Sequence, residues 1–194
     1  MAALAVARRH GAWLAAVGFC LLAAPALAQK AQVDFHTLRE GDRFDTKARA
    51  DIDATAADAW RVLTDYDRLA EFIPGVSESR VVSREGSWAL VELRGEASWL
   101  FFTFPMHVRL AIAEFPYDRI ESNAIGGSFR QMHGVYFLRT IPGGIELRYE
   151  GSFTPDFVVP PLIGTLLIRS RLEKRFRALV REIERRQGLA PGAR

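Results

Sequence analysis

The sequence predicts an α+β fold in which a curved antiparallel sheet of about seven strands wraps around a long C-terminal helix, with two short helices after the first strand. Three observations carry this reading. From Val76 to about Phe157 the apolar residues recur with period two, as where Ile145, Leu147, Tyr149, Gly151 and Phe153 alternate with Glu146, Arg148, Glu150 and Ser152. Ile168, Leu172, Phe176, Leu179 and Ile183 follow 4, 4, 3, 4 spacing, an apolar stripe along one long helix. Ahead of the strand-rich stretch, Ala59, Trp60, Val62 and Leu63 stand at helical spacing.

In chain order, Arg8 and Arg9 precede an uncharged run from Leu14 to Leu27 that closes on Ala26-Leu27-Ala28. This is the layout of a cleavable signal peptide, residues 1–28, and the run falls short of the roughly 18 residues that spanning a bilayer requires. The expected mature chain begins at Gln29 and is periplasmic or secreted. Cleavage removes Cys20, the only cysteine, so the mature chain is expected to have no disulfide and no thiolate. Residues 29–44 are polar and read as a lead-in or short edge strand, and residues 45–54 as a strand. Thr55 is an N-cap candidate with Asp58 three residues on, opening a helix that ends near Asp65. A second short helix, Tyr66 to Ile73, stops at Pro74-Gly75. Breaks at Glu85-Gly86, Phe115-Pro116, Gly126-Gly127 and Pro142-Gly143-Gly144 divide the next stretch into about six strands of a meander. Pro160-Pro161 opens the final helix, which runs to Arg186 and is stopped by Gly188 and Pro191. The domain is placed at 45–187, with a flexible tail at 188–194.

The segments Ala54–Gly75 (ATAADAWRVLTDYDRLAEFIPG), Gly126–Tyr136 (GGSFRQMHGVY) and Tyr149–Arg186, with Pro155, Pro160 and Pro161 ahead of the helix, resemble the START-like (SRPBCC) superfamily of helix-grip proteins. Its members are often labelled polyketide cyclase or dehydrase, and the similarity is greatest to the coenzyme Q-binding group. The resemblance covers about residues 45–186. It implies a deep apolar cavity between sheet and C-terminal helix that binds lipids, isoprenoid quinones, polyketides or related molecules.

Inward candidates for such a pocket are Val91, Leu110, Ile112, Tyr149 and Phe153 on alternating strands. Ile163 and Leu167 join them from the start of the helix, which is apolar on nearly every side. Arg109, Arg130 and His133 are the possible polar pocket residues. An arginine with a tyrosine or histidine would polarise a carbonyl and shuttle a proton there, whereas strand alternation places the arginines on the wet face. The three mature-chain histidines form no metal-ligand spacing and no motif calls for a cofactor, so neither is expected. Nor does the basic tail carry the interleaved aromatics of a nucleic-acid binder.

Residues 169–194 hold nine basic and three acidic side chains, against a nearly neutral mature chain. Arg169 and Arg171 lie too far from the helix C-terminus to serve its dipole, and with the aromatic group Trp99, Phe101, Phe102 and Phe104 they are candidates for contact with an anionic membrane. Three readings follow: an exported binder or carrier of an apolar, lipid-like ligand; a cyclase, dehydratase or isomerase using the same cavity; or a structural or interaction module with a filled core.

Overall fold

A computed structural model describes residues 31–99, 102–160 and 163–187, and of 97–99, 102–104 and 163 the backbone alone. The signal segment, the tail, Phe101 and the side chains of Trp99, Phe102, Phe104 and Ile163 lie outside the described residues.

Eight strands form one antiparallel sheet in the order β1-β2-β8-β7-β6-β5-β4-β3. They are β1 (Val33–Glu40), β2 (Arg43–Ile52), β3 (Val76–Glu85), β4 (Trp88–Trp99), β5 (Phe102–Phe115), β6 (Arg119–Gly127), β7 (Phe129–Ile141) and β8 (Gly144–Pro155). The six strands from β3 to β8 match the expected meander. The eighth strand is β1, which lies in the segment expected to be a lead-in or short edge strand and pairs with β2 along its whole length, from Val33↔Ala50 to Glu40↔Arg43. The short helices therefore follow the second strand.

Helix α1 (Ala56–Leu63) starts where the side chains dictate: the Asp58 backbone N–H donates to Thr55 Oγ1 at 3.1 Å, and the Thr55 hydroxyl donates to Asp58 Oδ2 at 2.6 Å. That reciprocal cap, chiefly the bond from Thr55, holds the Asp58 carboxyl below its ordinary pKa. A 3-10 turn, Tyr66–Arg68, and α2 (Leu69–Phe72) complete the crossover from β2 to β3, the opposite edge of the sheet.

Helix α3 (Ile163–Gln187) lies in the grip of the sheet. Phe176, Leu179, Val180 and Ile183 are buried in one core with Ile52, Val62, Leu147 and Ile145. Polar ties fix its position at both ends. Arg39 on β1 donates to the carbonyls of Val159 (2.9 Å) and Pro160 (3.1 Å), just ahead of the helix. Near its end, Glu182 accepts from Arg185 and Arg186, and Arg186 reaches Asp65 Oδ2 at 2.6 Å. Much of the basic helix is thus used within the fold: Arg177, Arg185 and Arg186 pair with Glu173, Glu182 and Asp65.

Candidate functional site

Between the concave face of the sheet and α3 lies a cavity of about 190 Å³. The expected wall residues Val91, Leu110, Ile112 and Tyr149 line it, together with Leu93, Ile120, Met132 and Tyr136 from the sheet and Leu179 from α3. A second cavity of about 120 Å³ continues toward the start of α3 and is lined by Phe153, Phe129, Phe157 and Ile168. Met132, Tyr149 and Arg175 line both, so these three side chains form the partition between them. Joined by a movement of that partition, the two reach the lower end of the ~300 Å³ typical of small-molecule sites.

Strand register explains the inward set. Leu110 pairs with Val91 and Tyr149 with Tyr136, so each inward residue faces another across the ladder. The rings of Tyr136 and Tyr149 stand 4.7 Å apart. Burial pushes both phenols up, Tyr149 to about 12 and Tyr136 further. Both are therefore neutral hydroxyls at physiological pH, able to donate a hydrogen bond and unsuited to act as bases. Gly134 and Gly151 are paired across β7 and β8, and the missing side chains leave room for the Tyr149 ring.

The possible polar pocket is corrected by the structure. Arg109 faces outward and pairs with Glu92 at 3.1 Å, Arg130 pairs with Asp42 at 2.8 Å, and His133 is exposed with Nδ1 2.9 Å from Asn123 Oδ1. Strand alternation puts Arg109 and His133 on the outer face, and Arg130 is the unpaired residue of a β-bulge between Phe129 and Gln131. Leu167 is half-buried and lines neither cavity; the helix turns Ile168 inward instead, in phase with Leu172, Arg175 and Leu179. Arg171 borders the second cavity, whereas Arg169 is exposed.

The model of the family described as polyketide cyclase/dehydrase and lipid transport matches residues 52–184. The chain belongs to that family. No curated protein matches it in sequence. Solved structures that share the helix-grip fold include the following three. A STAR-related lipid transfer protein from Xanthomonas axonopodis is 14% identical with a TM-score of 0.63, covering 80% of this chain and 94% of that one. The Zhui aromatase/cyclase from Streptomyces sp. R1128 is 15% identical with a TM-score of 0.59, covering 80% and 95%. A START superfamily protein from Mycobacterium smegmatis is 16% identical with a TM-score of 0.59, covering 75% and 99%. The polyketide cyclase/dehydrase label and the helix-grip fold inferred from the sequence motifs are those observed.

Within this family fold, the polar group at the centre of the site is one that sequence reasoning missed. Arg175 projects from α3 onto the partition, half-buried, with its Nε–H donating to the Pro74 carbonyl at 3.0 Å. Desolvation, followed by the nearby Arg171 charge, lowers its pKa from the ordinary arginine value. The signal was present: Ile168, Leu172, Arg175 and Leu179 run at 4, 3, 4 spacing, so a cation occupies a position in an inward stripe. Tyr136 and Met132 were also missed, although both share the period-two face of Gly134 on β7.

Proposed function

We propose that the mature chain is an exported binder or carrier of an apolar, lipid-like molecule such as an isoprenoid quinone, a lipid or a polyketide-like compound, held between the sheet and α3. The observation that carries this reading is the composition of the main cavity. Apart from Arg175 and Ser122 its wall is aliphatic and aromatic, and it contains no carboxylate and no histidine. A cyclase or dehydratase needs a group that takes up a proton near neutral pH, and the hydroxyls that face this cavity are kept protonated by burial or, for Ser122, donate to the Gly134 carbonyl at 3.0 Å. Export rests on Arg8, Arg9 and the Leu14–Ala28 segment.

The test is to purify the protein from its own host, sequence its N-terminus and identify by mass spectrometry what solvent extracts from it. The expected results are Gln29 as first residue and a recurrent apolar species. After extraction, the protein should bind the neutral fluorophore N-phenyl-1-naphthylamine, and the extracted species should displace it. An empty extract combined with no fluorophore binding would leave a packed module without a ligand.

Ligand exchange at an anionic membrane is part of the same proposal. Val158 (92% exposed) adjoins Phe157 at the second cavity, and Leu166 (67% exposed) lies on the first turns of α3, three residues before the exposed Arg169. Apolar side chains beside a cation suit the headgroup boundary of an anionic leaflet. The mature protein should co-sediment with phosphatidylglycerol vesicles in preference to phosphatidylcholine vesicles, and lose that preference in ~0.5 M salt. Val158→Asp with Leu166→Asp should lower the bound fraction about tenfold. Equal sedimentation with both vesicle types would count against membrane exchange and leave the cavity reading intact.

A further inference from the structure

We infer that the ligand is an amphiphile with a carboxylate head, seated on Arg175 with its chain in the main cavity. This rests on the carrier reading and names the chemical class that the same cavity takes.

Arginine carries five N–H donors and stays charged inside proteins. Of those on Arg175, the Nε–H is used on the Pro74 carbonyl, and no carboxylate among the described residues lies within ion-pair distance of the guanidinium. This contrasts with Arg177, Arg185 and Arg186 on the same helix, each paired with an acidic side chain. A guanidinium withdrawn from water without a counter-charge is a poor arrangement for stability alone. It becomes favourable when an anion arrives with the ligand.

The local backbone supports this role. The loop that holds Arg175 is itself pinned, because the Glu96 N–H donates to the Gly75 carbonyl at 3.2 Å. Gly75 has φ +78°, and a Cβ placed there would stand 3.1 Å from Arg175 Nη2. The glycine therefore gives both the turn and the space beside the guanidinium. Tyr136 and Tyr149 line the same cavity as Arg175, and neither hydroxyl has a hydrogen-bond partner among the described residues. Arg175 with the Tyr136 and Tyr149 hydroxyls, in a wall whose other polar groups are Tyr66 and Ser122, offers donors for the two oxygens of a carboxylate at the end of an aliphatic chain. Arg171, at the border of the second cavity, adds positive potential from the same side. Glu96 also lines that second cavity but is absent from the wall of the main one, so no carboxylate lines the chamber for the chain.

Binding of dodecanoic acid and 1-dodecanol to the solvent-extracted protein, read by displacement of N-phenyl-1-naphthylamine at pH 7, tests the assignment. The two probes share a chain and differ in the head. The acid should bind at least ~10-fold more tightly than the alcohol, in line with a charge-assisted pair. Arg175→Gln should bring the acid down to about the level of the alcohol, and Arg175→Lys should restore part of the preference. Alcohol binding by the variant also reports that its cavity is still formed, and the comparison of the two heads on the parent protein needs no variant. Equal binding of acid and alcohol by the parent, or a preference that survives Arg175→Gln, would overturn this inference alone. If neither amphiphile nor the fluorophore binds, the carrier reading falls with it.

Discussion

Glu182→Gln is expected to lower stability by roughly 2 kcal/mol at pH 7, seen as a fall in Tm of about 4–8 °C for a chain of this size. Glu182 is buried near the end of α3, where one carboxylate accepts from Arg185 Nε (2.7 Å) and Nη2 (2.6 Å) and from Arg186 Nε (2.6 Å). Arg186 in turn reaches Asp65 on the crossover and stacks on the Phe72 ring, 5.4 Å from its centroid. The amide keeps the shape and removes the charge, leaving Arg186 against Phe72 with a single carboxylate. The hydrogen bonds from Arg185 and then Arg186 hold the Glu182 carboxyl at about 2, below its ordinary 4.5. A full conversion of that shift would overstate the effect, because Arg185 is half exposed and solvent screens it. The sign follows from linkage. A depressed carboxylate pKa contributes stability that is complete above about pH 4.5 and is lost as pH falls toward 2. The gap between parent and Glu182→Gln should therefore close across that window. Glu173→Gln, which removes the more exposed pair with Arg177, is the control and should cost less than ~0.5 kcal/mol. Thermal melts of the three proteins at pH 7 and across the acid range check all of this. Equal losses from Glu173 and Glu182 would show that the helix end is not anchored by this network.

The same network shows why charge counting read the final helix only in part. Nine basic residues from Arg169 onward stand out in the sequence, and Glu173 and Glu182 are local partners for some of them, but Asp65 and Val33, which also hold Arg186 and Arg177, lie more than a hundred positions earlier, and no local pattern announces them. The strands were easier to read. β8 is central, covered by β2 and β7, so its inward residues Ile145 and Leu147 are fully buried and its alternation is sharp. Even there, Glu146 on the outer face is buried, because Arg49 and Arg139 from the flanking strands close over it. β1 was blurred for the opposite reason. As an edge strand it has one neighbour, and it turns Thr37 inward and Leu38 out to solvent at 70% exposure, which inverts the polarity that a period-two reading relies on. The cavity walls on the central strands followed from alternation. The helix side did not, because nearly uniform apolarity from Leu162 to Ile168 conceals the phase that only packing against the sheet determines.

The second large effect concerns the floor of the cavity, where Gly151→Ala should cost about 1–3 kcal/mol and weaken binding of N-phenyl-1-naphthylamine by roughly tenfold. Alanine is ordinarily no worse than glycine in a strand, since glycine loses more backbone freedom on folding. Here the surroundings reverse that preference. A Cβ on Gly151 would stand 2.6 Å from Tyr149 Cζ, and one on the facing Gly134 would stand 2.8 Å from Tyr149 Oη. Contacts that short require the ring to leave the floor, and Leu147 and Tyr136 occupy the neighbouring positions on its own strand and across the ladder. The open direction is toward the cavity, so the displaced ring takes up ligand volume and also presses on the Tyr136 ring 4.7 Å away. The cause can be separated from a general weakening of β8 by a double-mutant cycle. In a Tyr149→Leu background the overlap is gone, and Gly151→Ala should be neutral to within ~0.5 kcal/mol with no further loss of fluorophore affinity. Denaturant melts and fluorescence titrations of the four proteins give both readouts. If the alanine costs the same in the Tyr149→Leu background as in the parent, the glycine pair serves the strand itself and the tyrosine floor has no part in shaping the cavity.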